Sequence, residues 1–479
     1  MSKVLKNTAF YTIGNMVTTL SSFILIPVYT KYLSVPDYGV VSSMQTLSAI
    51  LIVIITLALE RSMYRIYYDY STEAEKREFI GTIFIGLVCV GFICMGLCFL
   101  LKSYLNLLFP SIAFYPFFSY TIISTFILSV VNFSQTISQV KQNARRFIIT
   151  SILLFVLTAL FNLFFIIKLH YGALGMIMGT LLAASVVLFV SLYNIVISIK
   201  FSFDKQKFKN AIEFSLPMLP SLLSTWILNL SDRVFISHYY TMTDVGIYSL
   251  AYRITSIVIF AASALFMAYN PQFYQVANDE SRTVEERKAV IYKYNRIITV
   301  AVGIVGVLLL SISDIGIRLF FKKQFFSAYY YMPILIIAFV ISQLCGLYHL
   351  MLYQNKKTWL VTYSVFLSAA LNVGLNYFFI PVYGAYFAAI STIICNTVTF
   401  LLLYFNAKKG FYIKSDWKTI LIICTFYGVF VLENYYLSNY GMLLNFAVKL
   451  VTIALMLLTF RKFILGIISL VKKKKTVAV

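Results

Sequence analysis

The chain is poor in charge and poorer still in acid. Only 12% of its 479 residues are charged, and 17 acids stand against 39 bases. Soluble domains carry about 25% charged residues; so few could not cover a water-soluble fold of this size. Histidine numbers 3, too scattered for a metal-ligating set. The 6 cysteines (Cys89, Cys94, Cys98, Cys345, Cys395, Cys424) all fall inside apolar runs, where they read as small hydrophobes. There is no Walker A loop, so ATP hydrolysis is not built in. No catalytic constellation emerges, and the chain reads as a non-enzyme without cofactor or metal. The start has two lysines but no small-residue cleavage site after its apolar stretch, so it reads as a retained first helix.

What the chain has is apolar length. Hydrophobic residues make up 61% and mean hydropathy is +0.86. A bilayer core about 30 Å thick needs roughly 20 apolar residues of helix. Such runs lie near 8–30, 39–61, 79–101, 114–137, 146–168, 173–199, 214–239, 245–269, 291–313, 329–353, 358–380, 384–406, 416–437 and 442–463. The last pair is interrupted by Glu433 and Lys449. The runs lack the alternation of tilted strands, so the expected fold is an all-α integral membrane protein of about fourteen transmembrane helices.

The net charge of +22 does not indicate nucleic acid, because the bases sit in the short gaps between apolar runs. Taking the runs in turn puts 30 of the 39 Lys and Arg on the side of the N-terminus and 6 on the other. The positive-inside rule then makes that side cytoplasmic and places both termini there.

The sequence also repeats. Tyr32, Asp37, Gly39 and Ser42 recur as Tyr239, Asp244, Gly246 and Ser249. Gln142-Asn143 before Arg145-Arg146 recurs as Gln354-Asn355 before Lys356-Lys357. Asn162 and the Tyr171-Gly172-Ala173 turn recur as Asn376 and Tyr383-Gly384-Ala385. Six helices, an even number, enter the membrane in the same orientation twice, which is a parallel repeat. The expected organisation is a six-helix bundle over 1–199, a linker over 200–213, a second bundle over 214–406, two extra helices over 407–463 and a basic tail over 464–479. Two facing bundles suit alternating access.

A charge inside a membrane costs roughly 2.5 to 3.5 kcal/mol on insertion scales. Asp232 and Arg233 in the seventh helix and Arg253 in the eighth therefore stand out. Asp232 and Arg253 lie at similar depths, about 10 and 12 Å from the helix ends, so the expected pair is Asp232 with Arg253. Arg233 is left for a cavity or for headgroups. Arg61, Arg65 and Asp69 follow i, i+4 spacing at the cytoplasmic end of the second helix, beside Tyr64, Tyr67 and Tyr68. Arginine suits an anion through bidentate contacts, making Arg61, Arg65, Arg233 and Arg253 the candidate substrate-binding residues. Flanking charge and hairpin locking are the structural alternatives. Asp232, Pro217 and Pro220 are candidates for structure or coupling, the prolines because they remove backbone donors and kink the helix. Lys449 and His349 read by default as satisfied or snorkelling. Asn132, Gln135, Gln139 and Gln343 read as cavity lining or interhelical glue, and Gly175 with Gly179 as a close-packing face.

The segments Asn7 to Asn15, Ile26 to Gly39, Ser231 to Ile236 and Gly246 to Arg253 resemble the Wzx-type oligosaccharide flippases. These form part of the multidrug/oligosaccharidyl-lipid/polysaccharide exporter superfamily, with the MATE exporters and lipid II flippases. The resemblance implies translocation of an undecaprenyl-diphosphate-linked repeat unit to the outer leaflet, for O-antigen, capsule or exopolysaccharide assembly. Expected partners are that glycan lipid, membrane lipids, a coupling ion (H+ or Na+) and polysaccharide polymerase machinery, with no nucleic acid. The alternatives are a MATE-type small-molecule exporter, a lipid II flippase, and a membrane glycosyltransferase or polymerase.

Overall fold

The computed structural model describes residues 23–437, 442–461 and 463. All its regular elements there are helical. After α1 (residues 23–32) come α2 (Val35–Thr56), α3 (Leu59–Ile66), α4 (Glu73–Leu100), α5 (Lys102–Leu108), α6 (Ser119–Val140), α7 (Ala144–Leu163), α8 (Gly172–Val196), α9 (Lys205–Ser215), α10 (Leu219–Leu230) and α11 (Asp232–Tyr239). Then follow α12 (Met242–Thr255), α13 (Ile257–Ala277), α14 (Val284–Phe320), α15 (Met332–Gln354), α16 (Thr358–Tyr383), α17 (Ala385–Ala407), α18 (Trp417–Leu437) and α19 (Met442–Thr459).

Among the described residues, 11 helical stretches are long and apolar enough to cross a membrane. They match the expected second to twelfth spans one for one. Most of the expected first span lies outside the described residues, as does the tail 464–479. The last two expected spans form helices α18 and α19, the second with a shorter apolar stretch over Ala447–Thr459.

Several expected boundaries move. The second span is not one rod to Arg61: it breaks at Leu57 and Ala58, both left-handed (φ 46° and 56°), and restarts as α3. Depths measured along a straight helix from Gly39 to Arg61 therefore do not apply. The linker 200–213 contains a helix, α9. Asp204 caps it by accepting from Lys207 N at 2.9 Å, and Phe208, Ala211 and Ile212 pack on the cluster of Leu59, Phe79 and Ile83. The apolar positions are spaced for a helix, but the lysines between them hide it from a search for spans. Pro217 lies in a 3-10 turn over Leu216–Met218 and Pro220 opens α10, so helix type changes where the two donors are missing.

The repeated motifs fold the same way in both copies. Ser34 and Asp37 form a capping box at the start of α2, with Ser34 Oγ donating to Asp37 Oδ2 at 2.6 Å and Asp37 N donating back at 3.2 Å. Thr241 and Asp244 form the same box before α12, at 2.6 and 3.3 Å. At the end of α6, Gln142 is left-handed (φ 55°) and Asn143 N donates to Ser138 O at 2.7 Å. At the end of α15, Lys356 is left-handed (φ 56°) and Lys357 N donates to Leu352 O at 2.9 Å. Both are Schellman-type stops.

By packing, the chain divides into two units. One holds residues 1–249 with 376–385, the other 250–375 with 386–479. In the first, α8 packs on α6 and α7, and α2 on α6. Polar side chains cross between these helices. Asn194 of α8 accepts from Arg146 Nη1 at 3.0 Å and donates to Ser134 Oγ at 2.9 Å; Gln135 donates to Ser151 at 3.3 Å. Such bonds hold helices together where lipid offers no hydrophobic drive. Gly179 also permits close approach, since a methyl there would lie 2.3 Å from Asn162 Oδ1. In the second unit, α13, α14 and α15 pack together, α18 lies on α14 and α19 on α18.

Candidate functional site

The first unit contains a buried polar seam where α2, α11, α12 and the end of α16 meet. Its formation starts with glycine. A methyl built at Gly39 would lie 2.0 Å from the Met242 carbonyl oxygen, and one at Gly246 would lie 2.2 Å from the Val35 carbonyl oxygen. The two helices thus approach backbone to backbone, and a side chain at either position would force them apart. One turn on, Ser42 Oγ donates to Ser249 Oγ at 2.7 Å. Gly39 with Gly246 and Ser42 with Ser249 are equivalent positions of the two sequence copies.

Arg233 reaches into this seam from α11. It is 5% exposed. Its Nε donates to Ser42 Oγ at 3.1 Å and its Nη1 to Asn229 O at 3.1 Å. The ring of Tyr248 lies 6.0 Å from the guanidinium carbon. Asp232, next in the chain, is fully buried. Its carboxylate accepts from Tyr248 Oη and from Asn376 Nδ2 at 2.7 Å. Adjacent helical residues point about 100° apart, so Asp232 and Arg233 serve different branches that meet at Tyr248. Asn376 was visible in the sequence as a repeated motif residue; Ser42, Ser249 and Tyr248 were visible there too, but nothing in their residue types marked them as partners of Arg233 or Asp232.

The other expected site residues lie elsewhere. Arg253 is exposed on α12, in the second unit. Arg61 and Arg65 are exposed on α3. Arg65 forms an ion pair with Asp69. Tyr64 Oη donates to Gln139 Oε1 at 2.5 Å and Tyr68 Oη to Val140 O at 2.7 Å, tying α3 to the end of α6. Beside them Glu60 keeps Oε1 buried without a hydrogen-bond partner. Lys449 is 1% exposed, and among the described residues its Nζ finds no hydrogen-bond partner. It feels the charges of Asp314, Glu433 and Arg318. His349 Nε2 is likewise buried without a partner among the described residues. Among the described residues no group of acidic, His or Cys side chains is arranged to hold a metal ion.

Chemically, the seam offers a buried cation, a buried carboxylate and hydroxyls within membrane-embedded helices. It can hold an anion or a proton, but it has no activated nucleophile.

Comparison with known proteins places this geometry. In fold, the chain is similar to the lipid II flippase MurJ in its inward closed conformation, with a TM-score of 0.74 at 15% identity over 95% of this chain and 99% of that one. It is also similar to an inward-facing multidrug resistance MATE family transporter, with a TM-score of 0.56 at 17% identity over 82% and 97% of the two chains. In sequence it is 23% identical over 351 residues to the Lsg locus protein 1 of Haemophilus influenzae, covering 71% of this chain and 82% of the relative. The family described as polysaccharide biosynthesis protein matches residues 4–277. The chain therefore belongs to that polysaccharide biosynthesis family and shares its fold with the flippase and the transporter above.

Proposed function

We propose that this protein is a flippase that carries undecaprenyl-diphosphate-linked oligosaccharide repeat units from the cytoplasmic to the outer leaflet. It does so by alternating access between two bundles, with both termini cytoplasmic. Membership of a polysaccharide biosynthesis family supports that class of cargo. The observation that carries the reading is the burial of Arg233 in a polar seam inside a membrane-spanning chain. A diphosphate needs cations and hydrogen-bond donors on its way through hydrocarbon, and a buried guanidinium is the group that provides both. The contact of equivalent positions Gly39 with Gly246 and Ser42 with Ser249 supports a pseudo-twofold axis passing between the copies. Asp232, a buried carboxylate hydrogen-bonded by two neutral donors, suits a coupling role for H+ or Na+. Arg253, Arg61 and Arg65 complete the cationic path, and the product passes to polysaccharide polymerase machinery.

The test is reconstitution of the purified chain in proteoliposomes with a fluorescent undecaprenyl-diphosphate oligosaccharide, scoring glycan accessibility to an external glycosidase. Transport in the wild type that is lost with Arg233→Ala supports the reading. No transport of any undecaprenyl-diphosphate glycan by folded wild-type protein overturns it. A second reading, a lipid II flippase, draws on the fold likeness over nearly the whole chain; a muropeptide-bearing lipid in the same assay separates the two by headgroup.

A further inference from the structure

A second polar site lies in the other unit, remote in sequence from the seam. A hollow opens between α14, α15, the end of α17 and the segment leading into α18. Its floor is apolar, formed by Leu344, Leu347, Met351 and Phe400; its mouth carries Arg296, Lys414 and Ser415. Asp416 is fixed at this mouth by the fold: it caps α18, accepting from Thr419 N at 3.1 Å. Arg296 Nε forms an ion pair with Asp416 Oδ2 at 2.5 Å and donates to Thr419 Oγ1 at 3.3 Å, and its guanidinium lies over the ring of Phe463 at 4.0 Å. Ser415 Oγ meets Tyr348 Oη at 2.8 Å.

These contacts orient Arg296 without exhausting it. Asp416 and Thr419 both engage Nε; among the described residues neither Nη nitrogen has an acceptor, and Lys414 Nζ has none either. One carboxylate faces two cations, so the mouth keeps a net positive charge. The charge bias assigns this end of the helices to the cytoplasm, and Arg296, 5 residues inside the expected span start at 291, sits at headgroup depth.

We propose that this hollow binds the phosphodiester of an anionic phospholipid of the inner leaflet. The Nη groups of Arg296 and the Lys414 ammonium hold the phosphate, and the acyl chains stay in the surrounding bilayer. Basic pockets between transmembrane helices on the cytoplasmic side are suited to anionic headgroups. A free anion would lack the anchorage of the bilayer, and a zwitterionic lipid would bring its own cation against Arg296. The proposal is independent of what the seam transports.

The experiment is native mass spectrometry of the full chain released from detergent with dioleoylphosphatidylglycerol, dioleoylphosphatidylcholine, undecaprenyl phosphate or inorganic phosphate. Phosphatidylglycerol should bind in preference to phosphatidylcholine and resist millimolar phosphate. Lys414→Gln touches an exposed side chain without partners, so the fold survives it. It should weaken phosphatidylglycerol about fivefold, the worth of one basic residue near an anionic surface, with phosphatidylcholine unchanged. Arg296→Lys, which keeps the charge and loses the fork, should weaken it further; if that variant is unstable, Lys414→Gln decides alone. Equal binding of both phospholipids overturns the proposal, as does unchanged binding in Lys414→Gln. Displacement by inorganic phosphate makes it a free-anion site, and displacement by equimolar undecaprenyl phosphate assigns it to the transported lipid; either result overturns the phospholipid reading.

Discussion

Ser42 and Ser249 share a hydrogen bond of 2.7 Å although 207 residues separate them. That separation is the offset of the internal repeat, so corresponding residues of the two copies touch. Hydroxyls this close have β-carbons near disulfide spacing. Ser42→Cys with Ser249→Cys should therefore cross-link under mild oxidation, read as loss of maleimide labelling. If α2 and α12 part during transport, the cross-link should stop glycan export and reductant should restore it. Export undiminished by a complete cross-link would show that the seam stays closed throughout the cycle.

Arg233 should tolerate little. Replacement by Ala leaves Ser42 and Asn229 O without their donor, and export should fall at least tenfold with protein levels kept within twofold. Replacement by Lys keeps the charge but not the fork that bonds Ser42 and Asn229 together, so export should remain low. Full activity with Lys would reduce the role of Arg233 to charge alone.

Asp232 tests a different point. Its carboxylate accepts from Tyr248 and Asn376; its pairing with Arg253 is a proposal. Breaking a buried pair costs about 3 to 5 kcal/mol, while removing both partners costs much less. Asp232→Asn should lower folded protein in the membrane, and adding Arg253→Gln should restore most of it. Additive losses in the double variant would mean that the carboxylate depends on Tyr248 and Asn376 and not on Arg253.

Orientation can be read with reporters. Alkaline phosphatase fused to the C-terminus should be inactive, and the same reporter placed after Lys322 should be active. The reverse pattern would invert the assignment drawn from the lysines and arginines.

The sequence made the spans legible because apolar length is local. Eleven spans appear where the apolar runs stand, and the Ser34–Asp37 and Thr241–Asp244 boxes form from residues three apart. Helix α9 was missed because its apolar face is short and interleaved with Lys205, Lys207 and Lys209. The break at Leu57 and Ala58 was missed because neither residue favours a left-handed backbone; the turn is imposed by packing. The seam itself was half visible. Asp232 and Arg233 stand out as charges in an apolar helix and Asn376 as a repeated motif residue, but Ser42 is an ordinary serine until Gly39 and Gly246 bring α12 against it. Lys449 is the opposite case, conspicuous in sequence yet without a hydrogen-bond partner among the described residues.

The glycine contact has a thermal consequence. At the points of closest approach of α2 and α12 the apposed groups are the peptides at Gly39 and Gly246 and the hydroxyls of Ser42 and Ser249. Parting these contacts uncovers polar atoms, whose hydration lowers heat capacity, along with any apolar exposure, which raises it. The two contributions oppose each other, so the heat-capacity change on parting the helices should be small. An equilibrium with little heat-capacity change follows a nearly straight van't Hoff line, and a seam built this way keeps the same temperature response in a cold membrane as in a warm one.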